Sequence, residues 1–212
     1  MEILERIAAA LQLGDDQQVG RLTEEALAGG LGAGEVLQRG LVAGMNVVGE
    51  QFRVREIFLP DVLLAARAMY AGLDRLRPQL ASEGVPLRGK IVLGTVKGDL
   101  HDIGKNLVGI MLKGAGFEVI DLGHDVAPEA FVEAALREGA PLVGLSALLT
   151  TTMPRMREVV ELVKQRGLAG RLRTIVGGAP VSAAFAREIG ADDYACDAAH
   201  AVDRVKALLG VA

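Results

Sequence analysis

Lys90-Ile91-Val92-Leu93-Gly94-Thr95-Val96-Lys97-Gly98-Asp99-Leu100-His101-Asp102-Ile103-Gly104 decides the reading of this chain. The run from Ile91 to Val96 is short, apolar and rich in β-branched residues, as a buried strand of a parallel sheet is. A helix-like stretch follows Gly104, so His101 falls in a strand-to-helix loop, the place where open α/β sheets bind cofactors. A potential metal ligand there is the most informative residue of the sequence. Asp99 is placed to accept one ring N–H of His101, which would fix the tautomer, orient the ring and raise its basicity as a ligand. The N-terminus of the following helix opposes protonation of the imidazole, while Asp99 and Asp102 favour it, so a change at a metal could be coupled to proton uptake.

Outward from this segment the texture is regular. Apolar runs at Ile91 to Val96, Phe117 to Leu122, Leu142 to Ala147 and Thr174 to Val176, with a weaker one at Asp193 to Cys196, alternate with amphipathic helices. Strict alternation predicts a parallel, doubly wound sheet with right-handed crossovers. Five strands fit the flavodoxin-like (Rossmann-like) order 2-1-3-4-5, whose switch point lies between strands 1 and 3. Asp99-Leu100-His101 and Ser146-Ala147-Leu148 stand at the carboxyl ends of those two strands.

From Met1 to about Pro78 the period is helical. Ile3, Leu4, Ile7 and Leu11 keep one face apolar, as do Leu22, Ala26 and Leu27 after Asp15-Asp16. A third helix is predicted from Ala33 to Phe52, and a fourth from Pro60 towards Leu76, with Pro60 in the first turn. Short loops between four helices predict an antiparallel bundle. Between Pro78 and Gly89 periodicity gives way to Pro, Gly and Ser, as in a linker. The expected division is a helical cap over 1–85 and an α/β domain over 86–212.

The composition narrows the function classes. With 23 Lys and Arg against 27 Asp and Glu the net charge is −4, there is no basic run, and aromatic residues make up 3 %, which argues against nucleic acid as a partner. The apolar stretches are far too short to span a bilayer, so no membrane segment is expected. Cys196 has no second cysteine to pair with, and the first residues lack the pattern of a signal peptide, so the expectation is a cytoplasmic protein.

Two nucleotide readings fail. Gly98 to Gly104-Lys105-Asn106 has the wrong glycine spacing for a phosphate loop and Asn where Ser or Thr is needed, and no Gly-x-Gly-x-x-Gly follows strand 1. A protein-built zinc site normally takes three or four side chains, whereas this loop offers one His and no Cys. A macrocyclic metal needs only one, because the ring supplies the equatorial nitrogens. An isolated His in a polar loop is more often simply solvated, and the surrounding pattern is what sets this one apart. Gly94, Gly144, Ser146, Ala147 and Gly177-Gly178-Ala179 fall on or just after strands 1, 3 and 4, where small residues could open a slot beside the sheet for a long cofactor tail. Tight strand-to-helix turns would explain the same glycines.

Asp99-x-His101-x-x-Gly104, then 41 residues, Ser146-x-Leu148, then 28 residues and Gly177-Gly178 resembles the signature of the cobalamin-binding fold of methionine synthase and corrinoid methyltransferase proteins. Gly44-Met45, Gly49-Glu50-Gln51-Phe52 and Glu56-Ile57-Phe58-Leu59-Pro60 are similar to the helical cap module that precedes that fold. The resemblance implies cobalamin or a related corrinoid, carried as methylcobalamin and Co(I) cobalamin and bound base-off. It implies His101 as the lower cobalt ligand, with Asp99 behind it and Asp102, Ile103, Gly104 and Leu148 beside the cofactor. The hydroxyl that completes the relay lies six residues beyond the Ser-x-Leu serine, which puts Thr152 in that role, where methionine synthase has Ser. A Thr methyl group restricts the rotamer without removing the bond. Ser146, with Thr150 close by, would bond the displaced base of the tail, and Gly177 and Gly178 would admit it.

In the same family a Phe and a Leu seven positions later cover the upper face, matching Phe52 and Leu59; ordinary bundle core is the alternative for both. His124, after strand 2, could line the cofactor rim, but surface loops are the plainer expectation for His124 and His200, and Cys196 is expected as small core filler. The function implied is a corrinoid methyl carrier, not catalytic alone. It would serve a donor-specific methyltransferase and an acceptor methyltransferase, with a reductive activase as a further partner. A cobalamin-dependent sensor or regulator, and the cofactor subunit of a B12-dependent mutase, are the alternatives.

Overall fold

In a computed structural model, which describes residues 2–83 and 88–211, the chain divides into two compact units. These are Met1–Leu87 with Gly114–Gly116, and Arg88–Lys113 with Phe117–Ala212.

The first unit is helical, with α1 (Ile3–Gln12), α2 (Asp16–Ala28), α3 (Ala33–Glu35), a π-helical stretch (Val36–Val42), α4 (Ala43–Arg53) and α5 (Leu59–Glu83). α3, the π-helical stretch and α4 form one unbroken rod over 33–53, so the expected third helix is present with a wider turn inside it. Local chemistry starts the rods: Glu2 and Glu5 form a capping box at α1, and Asp15 accepts the Gln18 N–H at 2.9 Å to open α2. The apolar stripes then meet, burying Ile7, Leu11, Leu22, Leu37, Leu41, Met69 and Leu76. A Cβ on Gly44 would lie 2.9 Å from the Ala8 carbonyl oxygen, so glycine is what lets α4 approach the α1 backbone.

The stretch expected to be a linker from Pro78 is helical as far as Glu83, with Pro78 inside α5. Proline in a helix interior costs roughly 3 kcal/mol, but Gln79, Leu80 and Ala81 after it are strong helix formers and the helix continues. Residues 84–87 of that stretch lie outside the described residues.

The second unit is a five-stranded sheet: β1 (Lys90–Thr95), β2 (Glu118–Asp121), β3 (Leu142–Ser146), β4 (Arg173–Gly177) and β5 (Asp193–Ala195). Every pairing is parallel and the order is β2-β1-β3-β4-β5, the order read from the sequence. The helices are α6 (Ile103–Gly114), α7 (Pro128–Glu138), α8 (Pro154–Gln165), α9 (Ala183–Ile189) and α10 (Ala198–Leu209). Val92, Val143, Leu145 and Val176 form one face of the sheet and share a core with Phe131 and Val132 of α7, Met156 and Val160 of α8, and Ile189 of α9. α6 lies over the other face, where its Gly109 meets Leu93. Among the described residues, no helix is long and apolar enough to cross a membrane.

Candidate functional site

The site is built at the carboxyl ends of β1 and β3. Thr95 at the end of β1 pairs with Ser146 at the end of β3, and beyond them the chain leaves each strand as a loop, so the two loops stand side by side. Asp99 joins them. Its side chain is wholly buried, and each oxygen serves one loop. Oδ1 faces its own loop, accepting the His101 backbone N–H at 3.1 Å and lying 2.8 Å from His101 Nδ1. Oδ2 faces the other, accepting from the Thr152 hydroxyl at 2.7 Å and from the backbone N–H groups of Leu148 (2.8 Å) and Leu149 (3.2 Å).

Burial alone would push the Asp99 carboxyl up. The hydrogen bonds from Thr152, from the His101 side chain and backbone, and from Leu148 outweigh it and hold the group far below the ordinary carboxylate range. An ionised Asp99 can only accept, so Nδ1 of His101 carries the hydrogen, and Nε2 is the ring nitrogen left to act as a ligand. The His101 side chain is 51 % exposed, and the Thr95 hydroxyl donates to the His101 carbonyl at 3.1 Å, fixing the backbone beneath it. The outcome is an immovable carboxylate, an oriented imidazole and one free nitrogen.

The expected relay of Asp99, His101 and Thr152 is therefore assembled in one place, with Thr rather than Ser supplying the hydroxyl. Its single hydrogen has two acceptors in reach, Asp99 Oδ2 and the Leu149 carbonyl at 2.9 Å, and the charged oxygen is the stronger. Asp102 is half-buried just before α6 and its carbonyl accepts the Asn106 N–H, while Ile103 and Gly104 open α6 on the exposed side. Ser146 is half-buried at the end of β3, and Thr150 is exposed in the next loop.

Small residues separate into two groups by strand face. Gly144, Ser146 and Gly177 follow the period of two and the cross-strand register, so they share the face over which α6 lies. Gly94 and Ala147 belong to the opposite face, so they do not share a face with Gly144, Ser146 and Gly177. A Cβ on Gly94 would stand 2.6 Å from the Phe131 ring, so that glycine admits a core aromatic. Gly178, at φ +128°, has a further role: a Cβ there would lie 1.9 Å from the Ala147 carbonyl oxygen, so the β3 and β4 loops touch backbone to backbone.

Phe52 ends α4 within its last turn and Leu59 opens α5; both are half-buried, on either side of the turn at 54–58, where Phe58 is the more exposed. His124 is exposed in the loop after β2. Two expectations are corrected. Cys196 is exposed rather than core, because it precedes α10 and its Sγ lies 3.2 Å from His200 Nδ1. His200 stands in the first turn of α10, not in a loop, where Asp197 accepts its N–H at 2.7 Å.

Sequence reasoning missed Lys105 and Asp125. Lys105 is buried and both oxygens of Asp121 lie within 2.6 Å of its Nζ; a lysine one helical turn before Gly109 and two before Leu112, on the inward face of α6, was the available signal. Asp125 accepts the Gly98 N–H at 2.8 Å, a pairing no local pattern announces.

Among the described residues no group of three or more His, Cys, Asp or Glu is placed to hold a metal ion. What this site offers is one imidazole nitrogen of fixed tautomer, which suits a metal arriving with its own equatorial ligands. Leu100, Leu148 and Leu149 are exposed on the same two loops and Ile103 at the start of α6, an apolar surround fit for a flat macrocycle. A Cβ on Gly104 would meet nothing within 4 Å, leaving open space beside the loop. These residues fit a corrinoid.

Comparison with known proteins agrees. Two family models, each described as a B12 binding domain, match residues 89–205 and 3–77. A corrinoid protein of Desulfitobacterium hafniense is 44 % identical over 99 % of both chains. Dimethylamine corrinoid protein 1 of Methanosarcina acetivorans is 45 % identical over 98 % of both. Among solved structures, the methanol:cobalamin methyltransferase complex of Methanosarcina barkeri superposes with a TM-score of 0.87 at 30 % identity, over 98 % of this chain and 80 % of that one. With the relay, the sheet order and near full-length relatives in agreement, this chain belongs to the B12-binding corrinoid proteins, and its cofactor is cobalamin or a related corrinoid.

Proposed function

We propose that this protein is a methyl carrier that binds its corrinoid base-off, with His101 on cobalt, and passes a methyl group from a donor-specific methyltransferase to an acceptor methyltransferase. The observation that carries the reading is the doubly anchored Asp99, which leaves Nε2 of His101 as the one free ligand atom. The bound corrinoid would supply a cobalt able to accept and release a methyl group. The protein's own residues do the rest. Asp99 keeps the hydrogen at Nδ1 and strengthens Nε2 as a ligand, while Thr152 and the two backbone amides keep Asp99 from turning away. Gly177, Gly178 and Ser146, with Thr150, would receive the tail and its displaced base, and Asp102, Ile103, Gly104 and Leu148 would line the ring.

Phe52 and Leu59, in a helical cap over 1–85, would screen the reactive face from water, and the cap would move aside for each partner about its connection to the cobalamin-binding domain over 86–212. A reductive activase would restore the cofactor after oxidation, and the system would operate in the cytoplasm. Relatives named for dimethylamine and for methanol support this division of labour, in which the partner chooses the donor. The test is electron spin resonance of cob(II)alamin bound to 15N-labelled native protein and to 15N-labelled His101→Ala, in which a protein nitrogen splits each line into two and the cofactor's own base into three. Superhyperfine splitting by the protein nitrogen is expected in the first and absent in the second. An unchanged splitting in His101→Ala overturns the assignment.

A further inference from the structure

The loop that carries His101 is held from a third side, by residues outside the Asp99 relay. Asp125, in the loop after β2, accepts the Gly98 N–H through Oδ1 at 2.8 Å and the Lys97 ammonium through Oδ2 at 3.1 Å. Its own N–H donates to the Asp99 carbonyl at 3.0 Å. Asp125 thus grips the residue at which the loop turns, Gly98 at φ +83°, and the residue that orients the imidazole. Asp125 itself sits at φ +56°, a left-handed conformation that Asp tolerates and that turns its N–H and carboxylate towards the same neighbour.

The loop bearing Asp125 is anchored in turn. The buried Lys105 ammonium clasps Asp121, whose Oδ1 also accepts the Gly123 N–H at 2.8 Å, and the Gly123 carbonyl accepts the Thr95 N–H at 2.9 Å. Lys105 stands on α6, four residues after His101. Only the Lys105 end of this pair is buried, so loss of Asp121 would strand a buried charge, and this holds the pair in one geometry.

We infer that Asp125 is a positioning residue for the axial imidazole, clamping Gly98 and Asp99 from a loop that the Lys105–Asp121 pair holds in place. The inference rests on His101 being the cobalt ligand. With the Asp125 carboxylate gone, the loop keeps its Asp99 contacts to Thr152, Leu148 and Leu149 and the backbone bond from residue 125 to the Asp99 carbonyl, but gains freedom at Gly98, so the imidazole spends more time away from its ligating pose. Asparagine at 125 retains an oxygen for the Gly98 N–H, which alanine does not, and loses only the ion pair with exposed Lys97, which is worth little.

The experiment uses the full chain as native protein, Asp125→Ala, Asp125→Asn and His101→Ala, each 15N-labelled so that its nitrogen is told from that of the cofactor's base, and each loaded with cob(II)alamin. It reads the fraction of cobalt showing splitting by protein nitrogen, the dissociation constant for cobalamin, and the thermal midpoint without cofactor. Asp125→Ala is expected to lower the ratio of nitrogen-ligated to unligated cobalt about tenfold, the scale of one charge-assisted hydrogen bond, and Asp125→Asn to restore most of it. A purely structural role would instead lower the thermal midpoint in both variants and leave the ligated fraction of folded protein unchanged, and that result overturns the inference. If His101→Ala keeps its splitting, the ligand assignment has failed. If His101→Ala loses it while Asp125→Ala matches native protein, the clamp alone has failed.

Discussion

Asp99 organises more of this site than any other side chain, and its burial makes the consequences measurable. Five donors converge on its two oxygens. Asn at this position keeps one acceptor oxygen and turns an amide hydrogen towards the remaining donors, so Asp99→Asn is expected to cost about 1–3 kcal/mol in urea unfolding at neutral pH. The pH dependence has a definite sign. Hydrogen bonding depresses the carboxyl in the folded protein, so it adds stability above the ordinary carboxylate value of 3.8, and that stability is lost as pH falls below it. The gap between native protein and Asp99→Asn should therefore narrow steadily below about pH 4. A gap independent of pH would mean that Asp99 does not fold as the anion. Asp99, His101 and Ser146 were legible in the sequence because they stand at or just beyond strand ends, whereas Thr152 was implied only by the family resemblance. Asp125 was not, since it reaches the site across a loop with no period of its own.

At the level of elements, the glycines show what spacing can and cannot say. Gly94 and Gly144 look alike in sequence, each inside a strand, yet they face opposite sides of the sheet, and only the register tells them apart. Gly178 and Gly104 provide a direct contrast. Gly178→Ala forces a Cβ into the Ala147 carbonyl at a left-handed φ, so it should lower stability by about 1–3 kcal/mol or more, seen as a lower denaturant midpoint. Gly104→Ala meets nothing within 4 Å and lies in a helix, so stability should stay within about 0.5 kcal/mol or rise slightly. If the space beside Gly104 receives the corrinoid, that same variant should bind cobalamin more weakly by equilibrium titration. Weakened folding with intact binding would reverse the roles given to the two glycines. The extension of α5 through Pro78 belongs here too: a proline was read as a stop, whereas the helix formers after it carried the rod on to Glu83.

At the scale of the whole molecule, the proposed role is transport of a methyl group between partners, so purified protein loaded with cobalamin should not demethylate methanol or methylamines by itself. Gas chromatography of reaction mixtures tests this, and turnover without an added methyltransferase would turn the carrier into an enzyme. Strand order, helical character of both units and the place of His101 in a strand-to-helix loop were determined by the sequence itself, because periods of 3.6 and 2 and the loop position after β1 are properties of the local chain. The site's electrostatics were decided only by the tertiary structure. Asp99 becomes a locked anion because Thr152 and two amides some fifty residues away along the chain point at it, and the buried Lys105 of α6 finds its partner in Asp121 at the end of β2. Such pairings depend on distances through space, which close packing sets and residue order does not record.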